Sequence, residues 1–154
     1  MRRFRGLLLR RAAVREQGSA VVEFVFLEAL VLIPLIYLVM TLARVQAGAF
    51  AVATAAREAG RAYVTADTMG AAQPRATAAA RIAFEDQGFV PDEAAATVTC
   101  EVTPCLRPGA HVQVRAQVSV ALPLVPAFAR DVIPGVITLR ASHEAAVDQY
   151  VEAR

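Results

Sequence analysis

The feature that most constrains this chain is an apolar run of 25 residues, Ser19 to Ala43, which contains no Arg, Lys, Asp, Asn or Gly. An α-helix of that length covers roughly 37 Å, against about 30 Å of hydrocarbon in a bilayer. The run therefore predicts a single transmembrane helix. Its only acidic residues are Glu23 and Glu28, and an acid near the centre of a membrane helix costs about 2.5–3.5 kcal/mol.

The charge is unevenly divided along the chain. Six Arg residues precede Gly18, and only Glu16 opposes them. Beyond residue 18 there remain ten Arg and thirteen acidic residues, a net charge of −3. The positive-inside rule therefore predicts a cytoplasmic N-terminus and an extracytoplasmic C-terminal part, single-pass in the inner (plasma) membrane. The acidic remainder argues against nucleic acid as a partner.

The junction between leader and apolar run has a specific order of features. Gly18 follows the basic leader, Ser19 begins the run, and Glu23 and Phe24 follow four and five residues later. This stretch resembles the class III, prepilin-type leader of pilin-like proteins, and more narrowly that of TadE-like proteins of tad-locus (Flp) pilus systems. Residues 55–63, Ala-Ala-Arg-Glu-Ala-Gly-Arg-Ala-Tyr, are similar to the AAREGAR-type segment that follows the membrane helix in TadE-like chains.

The resemblance implies cleavage between Gly18 and Ser19 by a prepilin peptidase, with Glu23 as the fifth mature residue. It also implies that Glu23 and Phe24 serve in assembly, with Glu23 paired to the new N-terminal amine of its own chain or of a neighbour. The implied function is that of a minor pilin or pseudopilin in a Flp-type (type IVb-like) pilus. The implied partners are other pilins or pseudopilins and the tad secretion machinery.

Glu28 has no role in the family pattern. It lies roughly 15 Å into the hydrocarbon core, where a carboxylate needs either a polar partner on another helix or the loss of its charge.

Two other interpretations of the N-terminal region remain open. The first is an uncleaved single-pass anchor that carries an extracytoplasmic binding module, for which a cut after Gly18 is not needed. The second is a secretory signal, with Ala47-Gly48-Ala49 as an A-x-A cleavage site and Phe50 as the first mature residue. The N-terminus of the mature chain distinguishes all three.

Beyond Ala43 the hydrophobic pattern predicts two helical segments. The first continues the membrane helix as an amphipathic extension, residues 44–64, with apolar positions at three- and four-residue steps: Val45, Ala49, Val52, Ala56 and Ala59. The second runs from about Gln73 to Gln87, with Pro74 in its first turn and Gly88 as its stop. Its apolar stripe comprises Ala76, Ala80, Ala83 and Phe84.

From Ala95 a period of two predicts three antiparallel strands. The first carries Val98, Cys100 and Val102 on one face, the second alternates over 112–122, and the third runs from about Val136 to Val147. Pro108-Gly109 marks the hairpin turn, and Leu124 to Ile133 is predicted to be a short helix or a partner-facing loop. The predicted fold is α+β, organised as leader 1–18, transmembrane helix 19–43, extension 44–64 and extracytoplasmic domain 65–154.

The chemistry-bearing residues do not form a catalytic motif. His111 and His143 lack metal-ligand spacing, and the sequence has no phosphate-binding Gly-rich loop or nucleophile elbow. We therefore expect neither an enzyme nor a cofactor or metal site. Cys100 and Cys105 lie in the part predicted to be outside the cytoplasm, which favours a disulfide over two separate buried thiols.

Overall fold

The computed structural model describes residues 2–122 and 135–150, with side chains described for 20–122 and 135–150. It contains two helices and a three-stranded antiparallel sheet, which confirms the predicted α+β fold. In chain order the elements are α1 (Arg2–Val64), α2 (Met69–Glu85), β1 (Ala94–Cys100), β2 (His111–Ala121) and β3 (Val136–Ala146).

The helix α1 is much longer than its apolar run. It begins at Arg2, so the basic leader is helical as well, and it ends at Val64, the end predicted for the amphipathic extension. Leu, Arg and Ala in the leader are strong helix formers, which explains the continuation. The chain divides into two compact units, Met1–Met40 and Thr41–Arg154, and α1 contributes to both.

The second unit is built on the close approach of α1 to the sheet. At Gly48 an added Cβ atom would lie 2.7 Å from Val120 Cγ2 and 2.9 Å from Leu139 Cδ1. At Gly60 it would lie 3.1 Å from Ala145 Cβ. The side chains buried on this face of α1 are mostly small. They are those of Ala51, Val52, Ala55, Ala56 and Ala59, together with the larger Tyr63.

The predicted stripe on this part of α1 was wrong at one position. Ala49 is exposed and Val45 is only partly buried, whereas Val52, Ala56 and Ala59 are buried as predicted. Ala49 lies at the margin of the buried face, beside the exposed Phe50. The residue of α1 that approaches the sheet most closely here is Gly48.

The second helix begins earlier than predicted. Thr68 is its N-cap, and the Thr68 hydroxyl accepts a hydrogen bond of 3.2 Å from the backbone N–H of Ala71. This cap satisfies a backbone donor that the first turn would leave unpaired. The helix therefore starts at Met69, not Gln73, and Pro74 lies inside it.

The end of α2 confirms the role predicted for Gly88. The N–H of Gly88 donates to the carbonyl of Glu85 at 2.9 Å, and the N–H of Phe89 donates to the carbonyl of Phe84 at 3.0 Å. This pair of bonds is the Schellman motif, which requires a positive φ at the glycine, here 72°. The predicted apolar stripe is also buried, together with Ala72.

The sheet has the order β1-β2-β3, so β2 is the central strand. Its inward residues, at alternate positions from Val112 to Val120, are at most 1% exposed. The outward residues of β1 and β3 are exposed, and His143 lies half-buried on the inward phase of the edge strand β3. The two-residue alternation predicted these faces correctly.

The loop between β1 and β2 differs from the prediction at its start and agrees with it at its turn. β1 ends at Cys100, so Val102 lies in the loop to β2 and not in the strand. That loop turns at Pro108-Gly109 as predicted, with Gly109 at φ 74°. The predicted connection Leu124 to Ile133 lies outside the described residues.

Candidate functional site

The most unusual surface is the apolar segment of α1, residues 20–42. Sixteen large apolar side chains in this segment are 47–69% exposed, on all sides of the helix. A helix that is apolar all round belongs inside a large protein or in a membrane. Transfer of one half-exposed apolar side chain from water to hydrocarbon contributes about 1 kcal/mol. For all sixteen side chains the transfer would stabilise the segment by roughly 15–20 kcal/mol.

The same segment makes α1 a candidate membrane span. Within the described residues, Ala20–Val64 is one helix near the N-terminus that is long and apolar enough to cross a bilayer, judged by length and composition. None of its most apolar stretch is buried within the chain.

Both acids of this segment, and the aromatic residue beside the first, have exposed side chains. Glu23 and Glu28 are exposed, and Phe24 is 66% exposed. Five residues correspond to about 140° around a helix with 3.6 residues per turn, so the two carboxylates point in different directions. A single neighbouring helix therefore cannot contact both equally.

The predicted processing position lies within α1. Gly18 and Ser19 are both helical, and their side chains fall outside the described set. Ser19 and Glu23 are four residues apart, which places them on the same side of the helix on successive turns.

The alternative cleavage position lies in a different environment. Ala49 and Phe50 are in the middle of α1, between Gly48 and the buried Ala51. A cut after Ala49 would sever the helix that forms part of the core of the second unit.

Arg44 makes a structural contact that the sequence pattern did not predict. Its guanidinium lies 4.1 Å from the centroid of the Phe89 ring. It also donates to the carbonyls of Gln87 at 3.4 Å and Gly88 at 3.1 Å. Arg44 thus ties the first turn of the second unit to the end of α2. No local pattern reveals this contact, because its partners lie more than 40 residues away.

The two cysteines are joined. Cys100 and Cys105 form a disulfide with a Cα–Cα distance of 5.4 Å, as the sequence predicts. It connects the end of β1 to the loop that leads to β2. The Cys100 sulfur also lies 3.6 Å from the hydroxyl of the buried Tyr63, which brings the disulfide close to the last turn of α1.

The two histidines lie on neighbouring strands, His111 on β2 and His143 on β3. His111 is exposed, and its Nδ1 lies 2.8 Å from Glu144 Oε1 across the sheet. Among the described residues, no group of three or more His, Cys, Asp or Glu side chains is placed to hold a metal ion.

Comparison with known proteins adds no relative: no family model, no curated protein and no solved structure matches this chain.

Proposed function

We propose that this protein is a TadE-like minor pilin or pseudopilin that takes part in assembling a Flp-type pilus. In this proposal α1 holds the chain in the inner membrane, with the basic leader in the cytoplasm and the α+β domain outside. A prepilin peptidase removes residues 1–18, and the mature subunit then meets other pilins and the tad secretion machinery.

The observation that carries the proposal is the continuity of α1. One helix contains the basic leader, the exposed apolar segment with Glu23, and the face that packs on the sheet. An apolar segment of this kind can leave the bilayer only if another apolar surface covers it. Equivalent segments of neighbouring subunits would supply such a surface in a filament.

The exposed Glu23 fits the same proposal. A carboxylate on an apolar helix is costly unless a positive group pairs with it. Processing after Gly18 creates that group at Ser19, either one turn away in the same chain or on an adjacent subunit.

The decisive experiment is the intact mass of the protein extracted from membranes, with and without a prepilin peptidase in the host. We expect an N-terminus at Ser19 only when the peptidase is present. Gly18→Ala should be cleaved less efficiently than the unaltered chain, because the resemblance implies a cut directly after a glycine. Gly6→Ala is the matched control, since it makes the same change elsewhere in the leader, and it should be processed normally.

The outcomes separate the competing functions. A full-length chain in every host would support the uncleaved anchor with a binding module. A mature N-terminus at Phe50 would support the secreted domain, although that cut falls inside α1 beside the buried Gly48. Either result would overturn the proposal.

A further inference from the structure

The outward face of the sheet carries a polar cavity to which the proposed function assigns no role. Thr97, Arg115 and Ser142 face one another across the three strands, and Gln117 and Arg140 form the adjacent pair. These five side chains are among those lining a shallow cavity of about 430 Å³, a volume within the range of small-ligand sites. We call it the arginine cavity.

The charged side chains that line the arginine cavity are all positive. Arg115 and Arg140 are diagonal neighbours on β2 and β3, a relation that places side chains roughly 7–8 Å apart. No Asp or Glu lines the cavity, and no ion pair to either arginine occurs within the described part of the chain. The nearest acid in register, Glu144, is engaged by His111 at 2.8 Å.

Such a pair of arginines favours an anion. The lining has two arginines and no acid, and such a one-sign surface attracts ions of the opposite charge. The guanidinium group offers two parallel N–H donors that match the two oxygens of a carboxylate. The rest of the mature chain is acidic, so this positive face is a local exception to its overall charge.

We infer that the arginine cavity binds a carboxylate-bearing polysaccharide, that is, a polymer of uronic acid units. Arg115 and Arg140 would hold the carboxylate. The hydroxyls of Thr97 and Ser142 and the amide of Gln117 both donate and accept hydrogen bonds, as sugar hydroxyls require. No aromatic residue lines the cavity, so recognition there rests on charge and hydrogen bonds and not on ring stacking.

The affinity for one sugar unit should be low. Both arginines are exposed, and an exposed ion pair improves an equilibrium by only about two- to fivefold. A polymer that engages several subunits at once gains affinity through its effective concentration. Binding should weaken as salt rises, because the charges are solvent-exposed.

The test is a titration of the full chain in zwitterionic detergent micelles with an oligogalacturonate, followed by backbone amide NMR shifts. We expect the amides of Thr97 and Ser142 to shift on binding. The double substitution Arg115→Gln and Arg140→Gln should lower the affinity about tenfold. Arg57→Gln removes one positive charge from an exposed site on α1, so it reports the effect of lost charge away from the cavity, and it should leave the affinity unchanged.

Three further measurements separate the contribution of charge from that of shape. Glu144→Gln should raise the affinity about twofold by removing the nearest negative charge. A neutral malto-oligosaccharide of equal length should bind at least tenfold more weakly. Replacing both arginines with Lys keeps the charge but removes the paired donors, and it should give an intermediate affinity in a chain with an unchanged spectrum.

Several results would overturn the inference. They are equal binding of the neutral sugar, unchanged affinity in the double Gln variant, or an equal loss in Arg57→Gln. If inorganic phosphate bound as tightly as the oligogalacturonate, the cavity would be a general anion site and the polysaccharide would be excluded as its specific ligand. The titration of the single chain requires no filament, so its failure is distinguishable from failure of the proposed function; only the gain in affinity across several subunits rests on pilus assembly.

Discussion

Substitution of Gly48 by Ala tests the contact on which the second unit is built. An added Cβ would lie 2.7 Å from Val120 Cγ2 and 2.9 Å from Leu139 Cδ1, closer than carbon atoms normally approach. Val120 is completely buried in the central strand, and its β-branched side chain has little freedom to rotate away. The substitution therefore forces α1 and the sheet apart.

The magnitude follows from two opposing effects. Overpacking of a core costs about 1–3 kcal/mol, whereas Ala is favoured over Gly in a helix interior by about 1 kcal/mol. We expect a net loss of about 1 kcal/mol in the free energy of unfolding. For a unit of this size that loss lowers the melting temperature by roughly 4 °C.

The measurement is hydrogen exchange at the β2 amides of the full chain in detergent micelles, which reports opening of the central strand. Gly70→Ala is the matched control, because it lies in the first turn of α2 with no atom within 4 Å of the added Cβ. It should stabilise by up to about 1 kcal/mol. In a Val120→Ala background the cost of Gly48→Ala should be smaller, because the closer of the two contacts is removed while that with Leu139 Cδ1 remains. Equal stabilisation by both glycine substitutions would show that the close approach is not limiting.

Three other predictions concern α1 and the disulfide. Arg44→Ala should lower the stability by about 1–2 kcal/mol in denaturant unfolding, because the contact with the Phe89 ring and two hydrogen bonds are lost; an unchanged midpoint would contradict this. Cys100→Ser should cost about 2 kcal/mol, and alkylation without reductant should label neither Cys100 nor Cys105 in the unaltered chain. Glu23→Ala should leave cleavage intact but reduce surface pili in a strain that carries only that copy, whereas Glu28→Gln should be mild because it retains hydrogen bonding. Normal piliation of Glu23→Ala would remove that carboxylate from the proposed mechanism.

The sequence by itself determined the features that depend on local periodicity. The apolar run and the two-residue alternation after Ala95 predicted a long helix followed by a sheet with one buried face, because both signals repeat within a few residues. Gly88 was identifiable as a helix stop because a Schellman end requires a positive φ, which glycine adopts without strain. The start of α2 was misplaced at Gln73 because Thr68 was not identified as an N-cap, which its hydrogen bond to the Ala71 N–H shows it to be.

Only the tertiary structure decided which distant residues meet. Alternation already placed Arg115 and Arg140 on one face, but their proximity depends on the register that pairs Arg115 with Ser142. Arg44 reaches the Phe89 ring across 45 positions of sequence, and Gly48 is required because Val120 packs against it. Contacts of this kind produce no periodic pattern in the sequence, because the way in which the helix packs on the sheet determines which side chains meet.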